Sequence, residues 1–107
     1  MMYEELIVME HMQIRMAKME DLDEIAFVES ECFPFEEAAT KEKFAERIKE
    51  YGTHFWLMCE EEKVIAFVDG MVTDEKNLTD EMYEKACLHD EKGAWQMIFG
   101  VNTLPKY

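Results

Sequence analysis

The sequence predicts one mixed α+β domain with a mostly antiparallel sheet, and three patterns carry this prediction. Apolar and polar residues alternate over residues 12–17, which is typical of a short half-buried strand. Apolar residues then recur at helical spacing over residues 20–32 and again over residues 40–51. Two apolar stretches, residues 53–59 and 64–72, follow as a hairpin joined by an acidic turn. Strands and helices in this order favour helices packed on one sheet.

Local signals define the ends of the two long helices. Pro34 disfavours helical geometry at Phe33, so the first helix should end before this pair. Thr40 is a suitable N-cap for the second helix, because its hydroxyl can accept a bond from the first turn. Gly52 stands where a helix-terminating glycine belongs. Both helices therefore have predicted ends as well as predicted faces.

The second half of the chain carries weaker signals. Residues 73–92 are mostly polar, and within them Thr79 can cap a short helix. Residues 95–101 form a last apolar stretch that predicts a strand. Gly70 is a candidate β-bulge in the preceding strand. The predicted order of elements is β-α-α-β-β-(α)-β.

The chain is strongly acidic, with 25 acidic and 11 basic residues and a formal net charge of −14. Such a surface repels phosphate backbones and anionic headgroups, which argues against nucleic-acid and membrane partners. It attracts a cationic small molecule or a basic protein. The same acidity also serves solubility alone, which is the simpler interpretation.

The cysteines and the N-terminus point to a cytoplasmic protein. Cys32, Cys59 and Cys87 are odd in number and widely spaced, so we expect reduced and mostly buried thiols. Residues 1–11 are interpreted as an N-terminal leader, and they lack the basic start of a signal peptide. The chain contains no run of about 18 apolar residues that would predict a membrane span.

Several strings, in this order, resemble the N-terminal portion of a GNAT-superfamily, acetyl-CoA-dependent N-acetyltransferase. They are residues 13–17 followed by Asp21 and Ile25, residues 64–72, and residues 100–107. The stretch from Asp74 to Gly93 resembles the serotonin N-acetyltransferase-like subgroup. The resemblance covers residues 12–107 and implies a partial GNAT acetyltransferase domain, truncated before the coenzyme pyrophosphate loop.

The resemblance implies a cofactor site at the last strand. In the family this strand splays from its neighbour, and free backbone amides bind the pantetheine arm and polarise the thioester carbonyl of acetyl-CoA. The matching positions are Val101, Asn102 and Thr103. An ordinary strand end is the alternative interpretation of these three residues.

The resemblance also implies an acceptor pocket. Phe33, Pro34 and Phe35 match the loop that walls this pocket, and Phe99 is assigned to it as well. Simple core packing is the alternative for these residues. Met97 and Phe99 stand where serotonin-type members carry two proton-relaying histidines, and neither side chain can move a proton. Arylalkylamines are therefore doubtful substrates, and Met97 and Phe99 are predicted to face the core or the cleft.

The histidines give no catalytic or metal assignment. His11, His54 and His89 lack metal-ligand spacing, so no metal site is predicted. His89 lies in a polar stretch, where a surface role is a better interpretation than that of a base. His54 is interpreted as an interior residue with satisfied hydrogen bonds. The catalytic residues remain unassigned at this point.

Two functions follow as hypotheses. The first is an N-acetyltransferase that moves an acetyl group from acetyl-CoA to a small-molecule amine or basic peptide, with this chain as the acceptor-side half. The alternative is a non-enzymatic acidic interaction module that docks a partner on an open strand edge. The apolar strand at residues 95–101 predicts such an edge, and with it a homo-dimer or association with the remaining part of the fold.

Overall fold

The computed structural model describes residues 12–107, and the leader assigned to residues 1–11 lies outside them. A four-stranded antiparallel sheet has the order β1-β2-β3-β6, and a separate two-stranded sheet pairs β4 with β5. The strands are β1 (Met12–Met16), β2 (Phe55–Glu60), β3 (Lys63–Asp69), β4 (Val72–Thr73), β5 (Trp95–Gln96) and β6 (Gly100–Thr103). The helices are α1 (Leu22–Cys32), α2 (Lys41–Tyr51) and α3 (Asp80–Glu84), with 3-10 turns at Met19–Asp21, Gly52–His54 and Ala86–Leu88. The predicted α+β class with a mostly antiparallel sheet is confirmed.

The two long helices begin and end close to where local signals place them. The Thr40 hydroxyl accepts a hydrogen bond from the Lys43 N–H at 3.2 Å, which confirms the N-cap of α2. Phe33, directly before the proline, is extended with φ −136° and ψ 149° and ends α1. Gly52 keeps right-handed geometry with φ −54° and starts a 3-10 turn. Strand β2 therefore begins at Phe55, two residues later than predicted.

The two long apolar strands predicted in the second half are each divided. The strand is interrupted at Gly70, which separates β3 from β4. This glycine therefore lies at the end of a strand and does not form the predicted bulge within one. A Cβ atom at Gly70 would lie 1.7 Å from the Met97 carbonyl oxygen, so only glycine allows this approach. Residues 95–101 likewise divide into β5, an irregular link and the start of β6. The single strand predicted there is wrong, because its two ends pair with different strands.

The inner face of the large sheet carries the core. Helices α1 and α2 pack on it, and Ile25, Val28 and Phe44 are fully buried. The Phe44 ring meets the rings of Phe55 and Phe67 edge-on, with centroid distances of 6.0 and 5.4 Å. These edge-to-face contacts fix α2 over the middle of the sheet.

The outer face of the same sheet is apolar and open among residues 12–107. Strand register places two cross-strand rows on it, Ile14–Met58–Ala66–Thr103 and Met16–Trp56–Val68–Val101. Ile14 is 67% exposed and Val101 75% exposed. Soluble monomers rarely leave a face of this kind uncovered.

The cysteines are free thiols, as predicted. Cys59 is buried and Cys32 is half-buried, whereas Cys87 is exposed, so the expectation of mostly buried thiols is wrong for Cys87. None of the helices in the described residues has the length and apolar character needed to cross a membrane.

Candidate functional site

A cleft of about 640 Å³ opens where the end of β3 and the start of β6 face α2, α3 and the loop after α1. We call residues 33–40 the acceptor loop, after the role that the GNAT resemblance implies for residues 33–35. The walls combine aromatic, acidic and amide side chains from each of these elements. They include Glu29, Phe33, Lys43, Arg47, Phe67, Asp69, Asp80, Tyr83, Glu84, Phe99 and Asn102. Concave sites with a few convergent polar groups in an apolar lining are typical of small-molecule binding.

An ion pair between Arg47 and Asp69 lies in the wall of this cleft, with both side chains buried. The Arg47 Nη1 donates to Asp69 Oδ2 at 3.3 Å, and Nη2 donates to the Tyr83 carbonyl oxygen at 3.2 Å. The guanidinium lies 5.2 Å from the ring centroids of both Phe44 and Phe99. Two aromatic rings and a carboxylate thus hold the arginine in one place.

Burial raises the pKa of Asp69 to about 6. The nearby Arg47 charge opposes this rise, while the negative charge of Glu29 adds to it. Asp69 is only 2% exposed, so desolvation of its carboxylate dominates. A carboxyl group with a pKa near neutral can accept a proton and release it again, as a general base must.

Sequence reasoning did not identify Arg47 or Asp69, although each left a signal. Asp69 is a lone acid within the apolar stretch over residues 64–72. Arg47 stands three residues after Phe44 and four before Tyr51, on the apolar face of α2. A charge placed on a buried face needs a partner, and the two residues supply one another.

Glu29 joins the acceptor loop to β6. It lies in α1 and is 7% exposed. One carboxylate oxygen accepts a hydrogen bond from the Ala39 N–H at 2.7 Å, and the other accepts one from Asn102 Nδ2 at 2.5 Å. Both oxygens are thus used, one on each wall of the cleft.

The predicted cofactor residues lie on β6, the last strand of the large sheet. The Leu104 N–H donates to the Ile65 carbonyl oxygen at 2.8 Å, and Phe67 is the register partner of Asn102. Because the N–H groups of a strand alternate between its two edges, the Asn102 N–H faces β3, whereas the N–H groups of Val101 and Thr103 face the edge of β6 that has no partner strand among residues 12–107. The side chains of Val101 and Thr103 are exposed on the outer face.

The structure brings together two of the four predicted substrate residues. Phe33 and Phe99 both line the cleft, and the Phe99 ring packs against Tyr83 with a centroid distance of 4.7 Å. Pro34 and Phe35 do not line it, and Phe35 is 94% exposed. Residues 35–37 form a turn, in which the N–H groups of Glu37 and Ala38 donate to the Pro34 carbonyl oxygen, and this turn carries the Phe35 side chain away from the cleft.

Met97 and Phe99 have the orientations that the sequence predicts. Met97 is 8% exposed and packs in a small second core with Tyr51, Met71 and Met82. Phe99 is half-buried against that core and faces the cleft. Neither side chain carries an ionisable group that could transfer a proton.

Acidic side chains outnumber basic ones around the cleft. The acids are Glu29, Glu36, Glu37, Asp69, Asp80 and Glu84, and the bases are Lys43 and Arg47. Both bases are already paired, since Lys43 lies 3.2 Å from Glu84 and Arg47 contacts Asp69. The cleft therefore presents a net negative potential to a ligand, which favours a cation.

A second polar cluster joins His54, His89 and Glu91. The Glu91 carboxylate lies 2.8 Å from His54 Nε2 and 3.0 Å from His89 Nε2. The side chain of His89 is only 6% exposed, so the predicted surface role is wrong. Chain folding, and not sequence spacing, brings these residues together.

Hydrogen bonding fixes the protons of this cluster. Two histidines and a carboxylate form a donor set that zinc accepts. However, the Val72 N–H donates to His89 Nδ1 at 2.9 Å, so a neutral His89 carries its proton on Nε2 and donates it to Glu91. Metal binding at Nε2 would move that proton onto Nδ1, against the Val72 N–H. The cluster therefore fits a brace between loops better than a metal centre.

Comparisons with known proteins find likeness at the level of structure. No protein-family model and no curated protein matches the chain. The loading GNATL domain of CurA from Lyngbya majuscula superposes with a TM-score of 0.78 at 23% identity, over 89% of this chain and 49% of that one. The GphF GNAT-like decarboxylase in complex with isobutyryl-CoA gives 0.77 and 23%, over 88% and 49%. The ribosomal-protein-S18-alanine N-acetyltransferase from Escherichia coli gives 0.56 and 17%, over 90% and 48%.

The described residues form a partial GNAT fold. The chain spans about half the length of the solved domains that it matches. At these identities the likeness establishes the fold, while the activity must be argued from the cleft.

Proposed function

We propose that this chain is the acceptor-side half of a GNAT-type N-acetyltransferase, which transfers an acetyl group from acetyl-CoA to an amine. The observation that carries the proposal is the acidic cleft, which ends at the start of β6. An amine held there would lie beside the strand whose free amides the GNAT resemblance assigns to the thioester. We extend the proposal to the serotonin N-acetyltransferase-like subgroup only because the stretch from Asp74 to Gly93 resembles that subgroup.

The residues of this chain can supply three contributions to such a reaction. The acidic walls attract the protonated amine, and Asp69 takes its proton, which leaves a neutral nucleophile. The Val101 N–H, at the free edge of β6, donates to the thioester carbonyl as the amine nitrogen attacks it. The new C–N bond replaces the C–S bond, and coenzyme A leaves. The cleft holds the amine in place, which lowers the entropic cost of the encounter.

The comparisons support acyl-CoA chemistry for this fold in general terms. GphF was solved with isobutyryl-CoA, and the Escherichia coli protein is an N-acetyltransferase. GphF is also a decarboxylase, which acts on a carboxylate. In the present chain the acids around the cleft and the pairing of Arg47 with Asp69 disfavour an anionic substrate. Acetyl transfer to an amine is therefore the better assignment.

Amide NMR titration of the chain tests the acceptor site. We expect n-butylammonium to shift the amides of Phe99, Gly100 and Ala39, all at the cleft, because the acidic walls attract the cation. Neutral n-butanol is the matched control, since it has the same chain without the charge. Equal shifts with both probes, or shifts scattered over the surface, would contradict the proposal.

Calorimetry with acetyl-CoA tests the division of labour. The chain has four glycines, Gly52, Gly70, Gly93 and Gly100, and none lies in a pyrophosphate-binding loop of the GNAT type. Its net charge of −14 also repels the anionic coenzyme. We expect the 107-residue chain to bind acetyl-CoA with a dissociation constant weaker than about 1 μM. A dissociation constant of about 1 μM or lower would contradict the view that this half serves the acceptor.

A further inference from the structure

Glu29 contacts both walls of the cleft from a buried position in α1. Its carboxylate accepts the Ala39 N–H of the acceptor loop and the Asn102 side-chain amide of β6. These partners are 10 and 73 residues away along the chain. A single side chain thus links two separate segments of the chain through hydrogen bonds.

The two segments have different tasks in the proposed reaction. The acceptor loop supplies Phe33 to the cleft, and β6 supplies the free-edge N–H of Val101, the neighbour of Asn102. Asn102 is held by its side chain on the inner face, so its backbone position depends on what that side chain contacts. The Cys32 thiol adds a weaker tie by donating to the Thr103 carbonyl oxygen at 3.3 Å.

We propose that Glu29 is a positioning residue that fixes the acceptor loop relative to β6, and so sets the distance between amine and thioester. The roles of the two walls rest on the proposed function, whereas the mechanical link does not. A carboxylate suits this place because both partners are donors and each needs an acceptor. Such a link matters because even a small misplacement of the reacting groups lowers the reaction rate.

Asn102→Ala tests the link from its far end. The change removes the β6 partner and leaves the Glu29–Ala39 bond in place. We expect hydrogen exchange at the Ala39 amide to accelerate at least about tenfold relative to the Ala17 amide, which bonds Phe55 on a distant strand. Val68→Ala, on the outer face of β3, is the matched control and should leave the ratio unchanged. An unchanged ratio in Asn102→Ala would overturn the proposal.

A swapped pair separates positioning from simple loss of stability. Glu29→Gln replaces one acceptor oxygen by a donor, so Asn102 keeps the contact only if its side-chain amide turns over. Asn102→Asp places two carboxylates together, and each variant alone should raise the Ala39 exchange ratio. The double variant restores one donor and one acceptor across the contact, and the ratio should return to within about threefold of wild type. Double-variant exchange no slower than that of either single variant would refute the link.

Binding of n-butylammonium separates this proposal from the proposed function. If the cleft serves an amine, Glu29→Gln should weaken probe binding at least about threefold, and the double variant should recover it. If wild type does not bind n-butylammonium but the double variant restores slow exchange at Ala39, the amine site is refuted and the Glu29 link stands. If wild type binds n-butylammonium but none of the variants changes the exchange at Ala39, the link is refuted and the amine site stands.

Discussion

Asp69 is the residue on which the chemistry of the cleft depends most directly. Its carboxyl group is 2% exposed, and the Arg47 guanidinium at 3.3 Å compensates only part of the cost of burying a charge. Residues held in this way are common at functional sites, because a pKa near neutral suits proton transfer. The same property has a consequence for stability that can be measured without any substrate.

Asp69→Asn should change how the stability of the chain depends on pH. Asparagine imitates the protonated acid at every pH. Burial raises the pKa of Asp69 to about 6 in the folded state, from 3.8 ordinarily, so between these values the folded state binds more protons than the unfolded state. The stability of wild type therefore falls relative to the variant as pH rises through this window. We expect a relative loss on the order of 1–3 kcal/mol between pH 4 and 7.

Urea unfolding at a series of pH values checks this expectation. Glu36→Gln is the matched control, because Glu36 is exposed at the rim of the same cleft. Its stability difference from wild type should change little with pH. A flat difference for Asp69→Asn, or one that grows in favour of wild type as pH rises, would contradict a raised pKa of Asp69 in the folded state.

Single residues were predictable where the sequence pattern or the GNAT resemblance pointed to them. Phe33 and Phe99, which the resemblance assigns to the acceptor pocket, line the cleft, and Met97 is buried. Glu29 falls on the apolar stripe of α1, but its two partners could not be predicted, because they come from a loop and from a strand 73 residues away. His89 was misjudged, since a polar neighbourhood along the chain says nothing of what packs above it.

At the scale of elements, local and non-local forces divide the outcome in the same way. Both long helices were predicted, with the end of α1 at Phe33 and the Thr40 cap of α2, because capping and periodicity are properties of adjacent residues. The division of the two later strands was not predicted. The division arises where the backbone at Gly70 contacts the backbone at Met97. The sequence of neither segment predicts this contact.

Gly70→Ala should therefore be disruptive, and Gly52→Ala should not. A Cβ at Gly70 would overlap the Met97 carbonyl oxygen at 1.7 Å, so two strands would have to move apart. We expect a loss of about 1–3 kcal/mol or more in the free energy of unfolding. Gly52 has right-handed φ, and the nearest atom to its Cβ would be Ile48 Cγ2 at 3.6 Å. There alanine should be neutral or stabilise by about 0.4–1 kcal/mol.

Urea denaturation of the two variants, with unfolding slopes compared, makes the measurement. Equal stabilities for Gly70→Ala and wild type would mean that the contact with residue 97 is not formed. A large loss in Gly52→Ala would mean that the turn after α2 is not the right-handed one described. The pair therefore tests the strand break separately from general intolerance of glycine replacement.

At the scale of the whole molecule, helices cover one face of the large sheet, whereas the other face is exposed among residues 12–107. The inner face carries both helices and the cleft, while the outer face shows two apolar rows from β1 to β6. Strand β6 adds an edge without a partner among residues 12–107. The solved GNAT-like domains are about twice as long as the part that this chain matches. An equivalent second half, or a second copy, could cover both features.

We expect the 107-residue chain to associate with itself in the absence of another partner, through this face and this edge. The edge predicted at residues 95–101 lies instead on β6, since residues 95–96 pair with β4. Apolar faces and unpaired edges both favour association. Light scattering after size exclusion should give a mass above 12.7 kDa that rises with concentration.

Val101→Glu is the decisive variant, because Val101 is 75% exposed and ends an apolar row beside the free edge. A carboxylate there should return the chain to 12.7 kDa over the same concentrations, since burying it in an interface would cost several kcal/mol. Leu78→Glu adds the same charge at an exposed leucine outside the sheet and should leave association intact. A wild-type monomer at high micromolar concentration would contradict the expectation. Equal dissociation by both variants would mean that net charge, and not this face, controls assembly.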